Sequence, residues 1–197
     1  KLVLIGFFFL LIFFILGIFA SWIAPYDPYA RDLKNVLAEP TIEHWLGTDT
    51  LGRDILSRII YGAQTSLIIG FSAVAIATIL GVTLGLIAAY FGGITFILIM
   101  RFVDALMSMP MLMIALTIAT LLGGGFVNVI IALGIGLMSS YARLMSGQVL
   151  AVKENDYVLA ARSMSAGNVR IMLRHIVPNC LPTLIVVMTM QLGAAIL

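Results

Sequence analysis

Few side chains in this sequence could perform acid–base, nucleophilic or metal chemistry. It contains two histidines, His44 and His175, and one cysteine, Cys180. No zinc-like spacing joins these residues to one another or to carboxylates, and no Gly-x-x-x-x-Gly-Lys-Ser/Thr loop occurs to hold nucleotide phosphates. No serine in an apolar segment has a histidine at the same depth to act as its base. The sequence therefore predicts no catalytic residue, no metal site and no cofactor held by this chain.

Arg101 and Asp104 stand near the start of an otherwise apolar segment. Their spacing of three places them on one helical face, where they can pair with each other. A role on a solute path is the alternative, because ionisable residues at membrane depth are usually functional. Uncharged polar residues in the apolar segments add further candidates for such a path: Asn128, Ser139, Ser140 and Gln191.

Composition identifies the class of protein that must position these residues. Hydrophobic residues make up 62% of the 197 residues and charged residues 10%, and the mean hydropathy is +1.15. A soluble domain needs far more polar surface than this to cover its core. The formal charge of +2 is small and dispersed, which argues against a nucleic-acid partner. The sequence predicts an integral membrane protein in contact with lipid.

Five apolar segments approach the roughly 20 residues that a helix needs to cross a bilayer. They are residues 2–24, 67–90, 102–122, 127–141 and 181–197. The expected fold is an all-α, polytopic bundle of transmembrane helices. We expect the sequence to be a piece of a longer chain, since it begins with Lys1 and stops soon after the fifth segment opens.

Small residues recur at every fourth position of the second apolar segment: Ala73, Ala77, Gly81, Gly85 and Ala89. One face of this helix therefore has almost no side chains. Such a face lets another helix approach closely. The pattern predicts tight packing within the bundle and does not indicate what the bundle does.

Two polar segments separate the apolar ones and suggest an orientation. Residues 25–64 carry more acids than bases, whereas residues 143–179 carry more bases than acids. Since an excess of Lys and Arg marks the cytoplasmic side, we expect the amino end and residues 143–179 in the cytoplasm. The predicted organisation is a first transmembrane helix (1–24), an extracytoplasmic loop (25–64) and a helical core (65–197).

A short amphipathic helix is predicted within the extracytoplasmic loop, over residues 49–61. Ile55, Leu56, Ile59 and Ile60 would form its apolar face. Asp54 and Arg58 have the spacing of a helical pair. This helix would lie along the outer membrane interface and either anchor the loop or, through Arg53, Asp54 and Arg58, contact another protein.

The basic segment predicts a helical hook, which we define as residues 153–177. One helix covers residues 153–164, and the Ser165-Ala166-Gly167 sequence breaks it. Asn168 can cap a second helix that ends before Pro178. Periodicity alone also fits an amphipathic hairpin resting on anionic lipid.

The hook resembles the EAA loop of ABC importer permeases, a Glu-Ala-Ala motif followed by a glycine. The similar run covers residues 157–179 and retains Ala160 and Ala161. Leu159 stands where the family pattern has glutamate, and Ser165 stands where it has glycine, with Gly167 two positions later. Leu159 removes one salt bridge that would brace the hook.

Other motifs resemble the second, C-type permease subunit of dipeptide, oligopeptide and nickel importers. They are residues 44–58, 61–67, 90–93 and 101–104, then Pro110 and residues 141–143. They occur in the expected order and cover nearly the whole chain.

This resemblance implies a type I ABC importer permease fold in a prokaryotic inner membrane. It implies as partners a homologous second permease, two ABC ATPase subunits that bind ATP and Mg, and an extracytoplasmic solute-binding protein. That binding protein would dock on Arg53, Asp54 and Arg58. The hook would seat on an ATPase subunit. Its implied coupling residues are Tyr157, Leu159, Ala160, Ala161, Arg162, Ser165, Ala166 and Gly167.

The solute implied is a short peptide, a nickel ion or a metal chelate, and the Leu-Ala-Ala and Ser-Ala-Gly variant is more similar to the metal-chelate branch. Two other functions remain open at this point. A secondary carrier or channel is disfavoured by apolar segments that lack charge. A non-transporting membrane scaffold would leave the paired motifs unexplained.

Overall fold

The computed structural model describes residues 2–196, with side chains from Leu4 to Ile196. Its helices are α1 (Leu2–Ile18), α2 (Ala20–Ile23), α3 (Ile55–Phe91), α4 (Gly93–Met107), α5 (Met111–Leu122), α6 (Phe126–Val152), α7 (Asp156–Ser163), α8 (Asn168–Ile171), a π-helical turn (Met172–Ile176) and α9 (Val177–Ile196). Apart from one isolated bridge between Thr48 and Asp54, the regular structure of the described residues is helical. The predicted all-α class is confirmed.

Three of these helical stretches are long and apolar enough to cross a membrane. They are Ile55–Phe91, Phe126–Val152 and Asn168–Ile196, with 37, 27 and 29 residues. The first apolar segment forms a shorter helix than predicted, because α1 ends at Ile18 and only the one-turn α2 follows. Runs of glycine at residues 92–93 and 123–125 predict turns from the sequence. The structure ends α3 before Gly92 and α5 before Gly123, both of which have positive φ.

The predicted third span, residues 102–122, is wrong as a single straight helix. Helix α4 already begins at Gly93, and α4 and α5 meet at an angle of 93°. The break falls at Pro110, whose φ of −55° and ψ of 133° are extended. Proline lacks the N–H that would continue the ladder of α4, and it starts α5 instead. Counting this bent pair as one span gives four among residues 2–196.

The described chain divides after Ile68 into two compact units. In the second unit, α3 packs on α6 through the small-residue face, and the predicted packing is confirmed: Ala73, Ala77, Gly81, Gly85 and Ala89 are all buried. A Cβ added at Gly81 would lie 2.5 Å from the Met138 carbonyl oxygen and from the Tyr141 Cβ. The two backbones therefore touch where glycine leaves room.

The first unit contains α1, α2, the loop that follows and the start of α3. The predicted separate short helix over residues 49–61 is wrong. Residues 49–54 form a turn, and Ile55 begins the 37-residue α3, which at 1.5 Å per residue is about 55 Å long. A bilayer core is about 30 Å thick, so α3 extends well beyond it.

Candidate functional site

The first helix of the hook, α7, ends in a left-handed turn at Ser165. Ser165 has a φ of 59°, its N–H donates to the Arg162 carbonyl at 3.0 Å, and the Ala166 N–H donates to the Ala161 carbonyl at 3.1 Å. These two bonds form a Schellman motif, which usually has glycine at the left-handed position. Ser165 therefore adopts the left-handed conformation that glycine usually supplies at this position.

Helix α7 has an inner and an outer side. Val158 and Ala161 are buried. Most of the predicted coupling residues, in α7 and the turn after it, are exposed, and Ala166 is half-buried. The exposed ones are Tyr157, Leu159, Ala160, Arg162, Ser165 and Gly167. Leu159 is 43% exposed, so the residue that replaces the family's glutamate presents an apolar surface.

Three contacts join the hook to the last turn of α3. The Tyr90 hydroxyl donates to Asn168 Oδ1 at 2.8 Å, and the Arg162 guanidinium lies 5.7 Å from the centre of the Tyr90 ring, within the range of a cation–π contact. The Lys153 ammonium donates to the Ala89 carbonyl at 3.2 Å. A displacement of the hook would therefore act on the carboxyl end of α3.

Sequence reasoning missed Tyr90 and Lys153 as functional residues. Tyr90 lies 78 positions from Asn168, so no periodicity connects the two. The sequence offered only two separate signals: Tyr90, a polar aromatic residue, ends the second apolar segment, and Lys153 begins the hook.

The hook differs from its predicted form in three details. Helix α6 runs to Val152 and α7 covers only Asp156–Ser163, so the predicted helix over residues 153–164 is too long. Asn168 does not cap its helix, because its side chain accepts the Tyr90 bond. The second helix does not end before Pro178: a π-helical turn immediately precedes α9, and the wider turn accommodates the missing proline N–H.

The predicted path residues lie in three separate places. Ser139, Ser140 and Gln191 line one cavity of about 160 Å³, with Met109 and Met111. Arg101 and Asp104 line an open groove of about 530 Å³ between α4 and α6. Asn128 instead donates to the carbonyls of Leu122 and Gly123, at 2.9 and 3.1 Å, and so holds the turn between α5 and α6.

The predicted Arg101–Asp104 pair is wrong. Asp104 pairs with Arg143 of α6, which the sequence left as part of a basic segment. Both side chains are about half exposed, so the pair adds little stability. It brings one carboxylate and two guanidinium groups, those of Arg101 and Arg143, to one groove.

In the first unit, the residues predicted to contact another protein are engaged within the loop. Asp54 is buried, its Oδ2 accepts the Ser57 N–H at 2.8 Å, and its Oδ1 lies 3.0 Å from His44 Nδ1. It therefore caps α3, and the predicted Asp54–Arg58 pair is wrong. Arg53 and Arg58 both bind Asp49 instead.

These contacts lower the pKa of both loop carboxyls. Burial opposes ionisation of Asp49, but the backbone N–H groups of Arg53 and Leu51 and the Arg53 guanidinium outweigh it and lower the pKa to about 2. Burial likewise opposes ionisation of Asp54. The Ser57 N–H, the His44 ring and the Ser57 hydroxyl nevertheless hold its pKa below the usual range. Both carboxylates are charged at neutral pH.

With this geometry in place, comparison with known families identifies the class. Residues 81–197 match the model of the binding-protein-dependent transport system inner membrane component, and residues 1–40 match that of the N-terminal TM domain of oligopeptide transport permease C. The chain belongs to the first of these families. The predicted resemblance to such permeases, and the fold it implied, are confirmed.

Several curated relatives are similar over nearly the whole chain. The glutathione transport system permease protein GsiD of Escherichia coli is 40% identical over 190 residues, 96% of this chain. The di/tripeptide transport system permease protein DppC of Pseudomonas aeruginosa is 40% identical over 198 residues, 98% of this chain, and the dipeptide transport system permease protein DppC of Alkalihalophilus pseudofirmus is 39% identical over 197, all of it. The chain spans 63–65% of the length of these relatives.

Proposed function

We propose that this chain is the membrane permease subunit of an ATP-driven, binding-protein-dependent importer of short peptides. The hook would bind one of two ABC ATPase subunits, which would bind ATP and Mg, and a homologous second permease would complete the path. A solute-binding protein would deliver the solute on the other side of the membrane. The charge distribution supports a cytoplasmic amino end and hook.

One observation carries the coupling role: the hook is exposed on one side and fixed to a membrane helix on the other. Tyr157 and Leu159 are exposed, whereas Arg162 and Asn168 both contact Tyr90 at the end of α3. Because α3 packs backbone to backbone on α6 at Gly81 and Gly85, a push on the hook would move packed helices as a body. Rigid movement of that kind can alternate access to a path.

The names of the relatives favour a peptide over a metal as the solute. The names of those relatives refer to the transport of glutathione, of di- and tripeptides and of dipeptides. They do not support the predicted similarity to the metal-chelate branch. The groove at Arg101, Asp104 and Arg143 has charges of both signs, which suits a zwitterionic peptide with an ammonium and a carboxylate.

Cysteine crosslinking in the assembled transporter tests the hook contact. Leu159→Cys and Arg162→Cys should each crosslink to the ATPase subunit with a short bifunctional reagent. Val158→Cys is the matched control, because Val158 is buried in the same helix and should not crosslink. If the exposed positions of a transport-active complex crosslink no more than Val158→Cys, the coupling role is wrong.

A second variant tests transmission from the hook to α3. Tyr90→Phe keeps the ring beneath Arg162 but removes the hydrogen bond to Asn168. Peptide uptake per ATP hydrolysed should fall, while crosslinking from Leu159→Cys stays unchanged. Tyr61→Phe, the same change near the other end of α3, should leave both unchanged. An unaltered uptake ratio in Tyr90→Phe would mean that motion passes by another route.

Uptake into reconstituted vesicles tests the reaction itself. A labelled dipeptide should accumulate only when ATP is hydrolysed and the binding protein is present. Accumulation that continues with hydrolysis blocked and a proton gradient supplied would instead establish a secondary carrier. Radioactive nickel, with and without a small chelator, is the comparison solute, and uptake of nickel without dipeptide uptake would contradict the peptide assignment.

A further inference from the structure

The loop after α2 folds into a rigid turn with an apolar tip. The Thr41 N–H donates to the His44 carbonyl at 2.9 Å, and the His44 N–H donates to Thr41 Oγ1 at 3.0 Å. The Trp45 indole N–H donates to the Ile42 carbonyl at 3.1 Å. The bonds hold Ile42 94% exposed and Trp45 70% exposed, so both large side chains project from a fixed backbone.

The position of this turn relative to the membrane helices follows from its contacts with Tyr26. Tyr26 comes three residues after the end of α2 at Ile23. Its hydroxyl donates to the Glu43 carbonyl at 3.0 Å, its ring centre lies 4.9 Å from that of His44, and its N–H donates to Ser57 Oγ at 3.1 Å. Ser57 is in the first turn of α3.

The same level of the molecule is therefore where one apolar helix ends and another begins. Residues 1–40 match a transmembrane domain, and the surface of α1 is exposed and aromatic, as at Phe7 and Phe9, both 64% exposed. Trp22, 84% exposed, stands at the end of this apolar surface, where membrane proteins concentrate tryptophan. Through Tyr26, the turn at 41–45 lies beside the end of α2, where this apolar surface stops.

We propose that the turn of residues 41–45 is a membrane-interface anchor, with Ile42 and Trp45 inserted among the headgroups and first methylenes of the leaflet at which α2 ends. The lipid chemistry fits both side chains. A tryptophan ring is amphipathic and favours the interface, and the indole N–H of Trp45 already has its acceptor. Ile42 is a bare apolar side chain, which gains by leaving water.

The role of anchoring the loop at the membrane interface, which the sequence predicted for residues 49–61, belongs in this proposal to residues 41–45. Those residues are occupied otherwise, since Asp54 caps α3 and Asp49 binds Arg53 and Arg58. The buried Asp54–His44 contact ties the turn to the start of α3. An anchored turn would thereby hold the start of α3 at a fixed depth.

Spin-label accessibility in lipid nanodiscs, with the full transporter assembled, tests this anchor. A nitroxide is attached to Ile42→Cys, and its collisions with oxygen, which concentrates in the bilayer, are compared with those of water-soluble chromium oxalate. Phe9→Cys in α1 is the bilayer reference, and Lys34→Cys in the same loop is the water reference. Cys180 is buried, and a preparation without an introduced cysteine measures background labelling.

The ratio of oxygen to chromium oxalate collisions at residue 42 should rise above that at residue 34 and move towards that at residue 9. Trp45→Cys should give the same shift, which guards against an effect of one labelled side chain. A ratio at residue 42 equal to that at residue 34 would place the turn in water and overturn the anchor. Low accessibility to both reagents would also overturn it, because a protein partner would then cover the turn.

Discussion

Replacing Gly81 with alanine should destabilise the contact between α3 and α6. The new Cβ would lie 2.5 Å from the Met138 carbonyl oxygen and the Tyr141 Cβ, whereas ordinary contact begins at 3.4 Å. Both neighbours belong to the backbone or its first side-chain atom and cannot rotate away. The two helices must therefore separate by about 1 Å locally, which loses dispersion contacts along the small-residue face.

The magnitude follows from two opposing effects. Overpacking of a close-packed interior costs about 1–3 kcal/mol, whereas alanine in place of glycine favours a helix by about 0.8–1.0 kcal/mol. Gly147 of α6 isolates the second effect, because a Cβ added there meets no atom within 4 Å. The difference between Gly81→Ala and Gly147→Ala should thus be about 1–3 kcal/mol, the overpacking cost by itself.

Equilibrium unfolding of the purified protein in mixed detergent micelles measures this difference, with SDS as the denaturant. Gly147→Ala should unfold at or above the SDS fraction of the unmodified protein, and Gly81→Ala below that of Gly147→Ala. Since 1.4 kcal/mol is a factor of ten in an equilibrium constant, the gap lies well within measurement. Equal midpoints for the two variants would refute the close approach of α3 and α6.

Two further predictions concern the hook and the loop. Ser165→Gly should raise stability by about 0.5–1 kcal/mol, because a left-handed residue with a Cβ costs about 1–2 kcal/mol and glycine's extra unfolded-state entropy returns about half of that. Thermal unfolding of the purified protein measures this change. Ser163→Gly, in α7, should lower stability by about the same amount, and a fall for both variants would contradict the left-handed turn. For Asp49, a pKa lowered to about 2 means that its contribution is complete above the unfolded value of about 3.9 and is lost as the pH falls towards 2. Pepsin should therefore cut residues 25–54 of the unmodified protein only near pH 2, but should cut those of Asp49→Asn already at pH 4.5. Equal cleavage of both proteins at pH 4.5 would refute the stabilising role of the Asp49 carboxylate.

Much of the fold could be predicted because its determinants are local. The apolar segments, the glycine turns at Gly92 and Gly123, and the small-residue face of α3 each depend on residues within a few positions of one another. The outer side of the hook was also predictable, since a family motif of consecutive residues marks it. The conformation of Ser165 was not predictable in the same way. The sequence has serine where the motif has glycine, yet the residue has the left-handed φ of 59° that glycine favours.

The sequence by itself determined that this chain lies in a membrane, which segments of it are apolar, and to which family of permeases it belongs, because hydropathy and motif order need no contacts between distant residues. Only the tertiary structure decided which polar groups meet. Asp104 pairs with Arg143, 39 positions away, instead of with Arg101, and Tyr90 binds Asn168 across 78 positions. Helical spacing makes a near neighbour available, but the crossing of α4, α6 and α3 fixes which partner is within reach. A charged or hydroxyl group binds the partner within reach, because leaving a polar group unpaired costs more free energy than a pair between helical neighbours contributes.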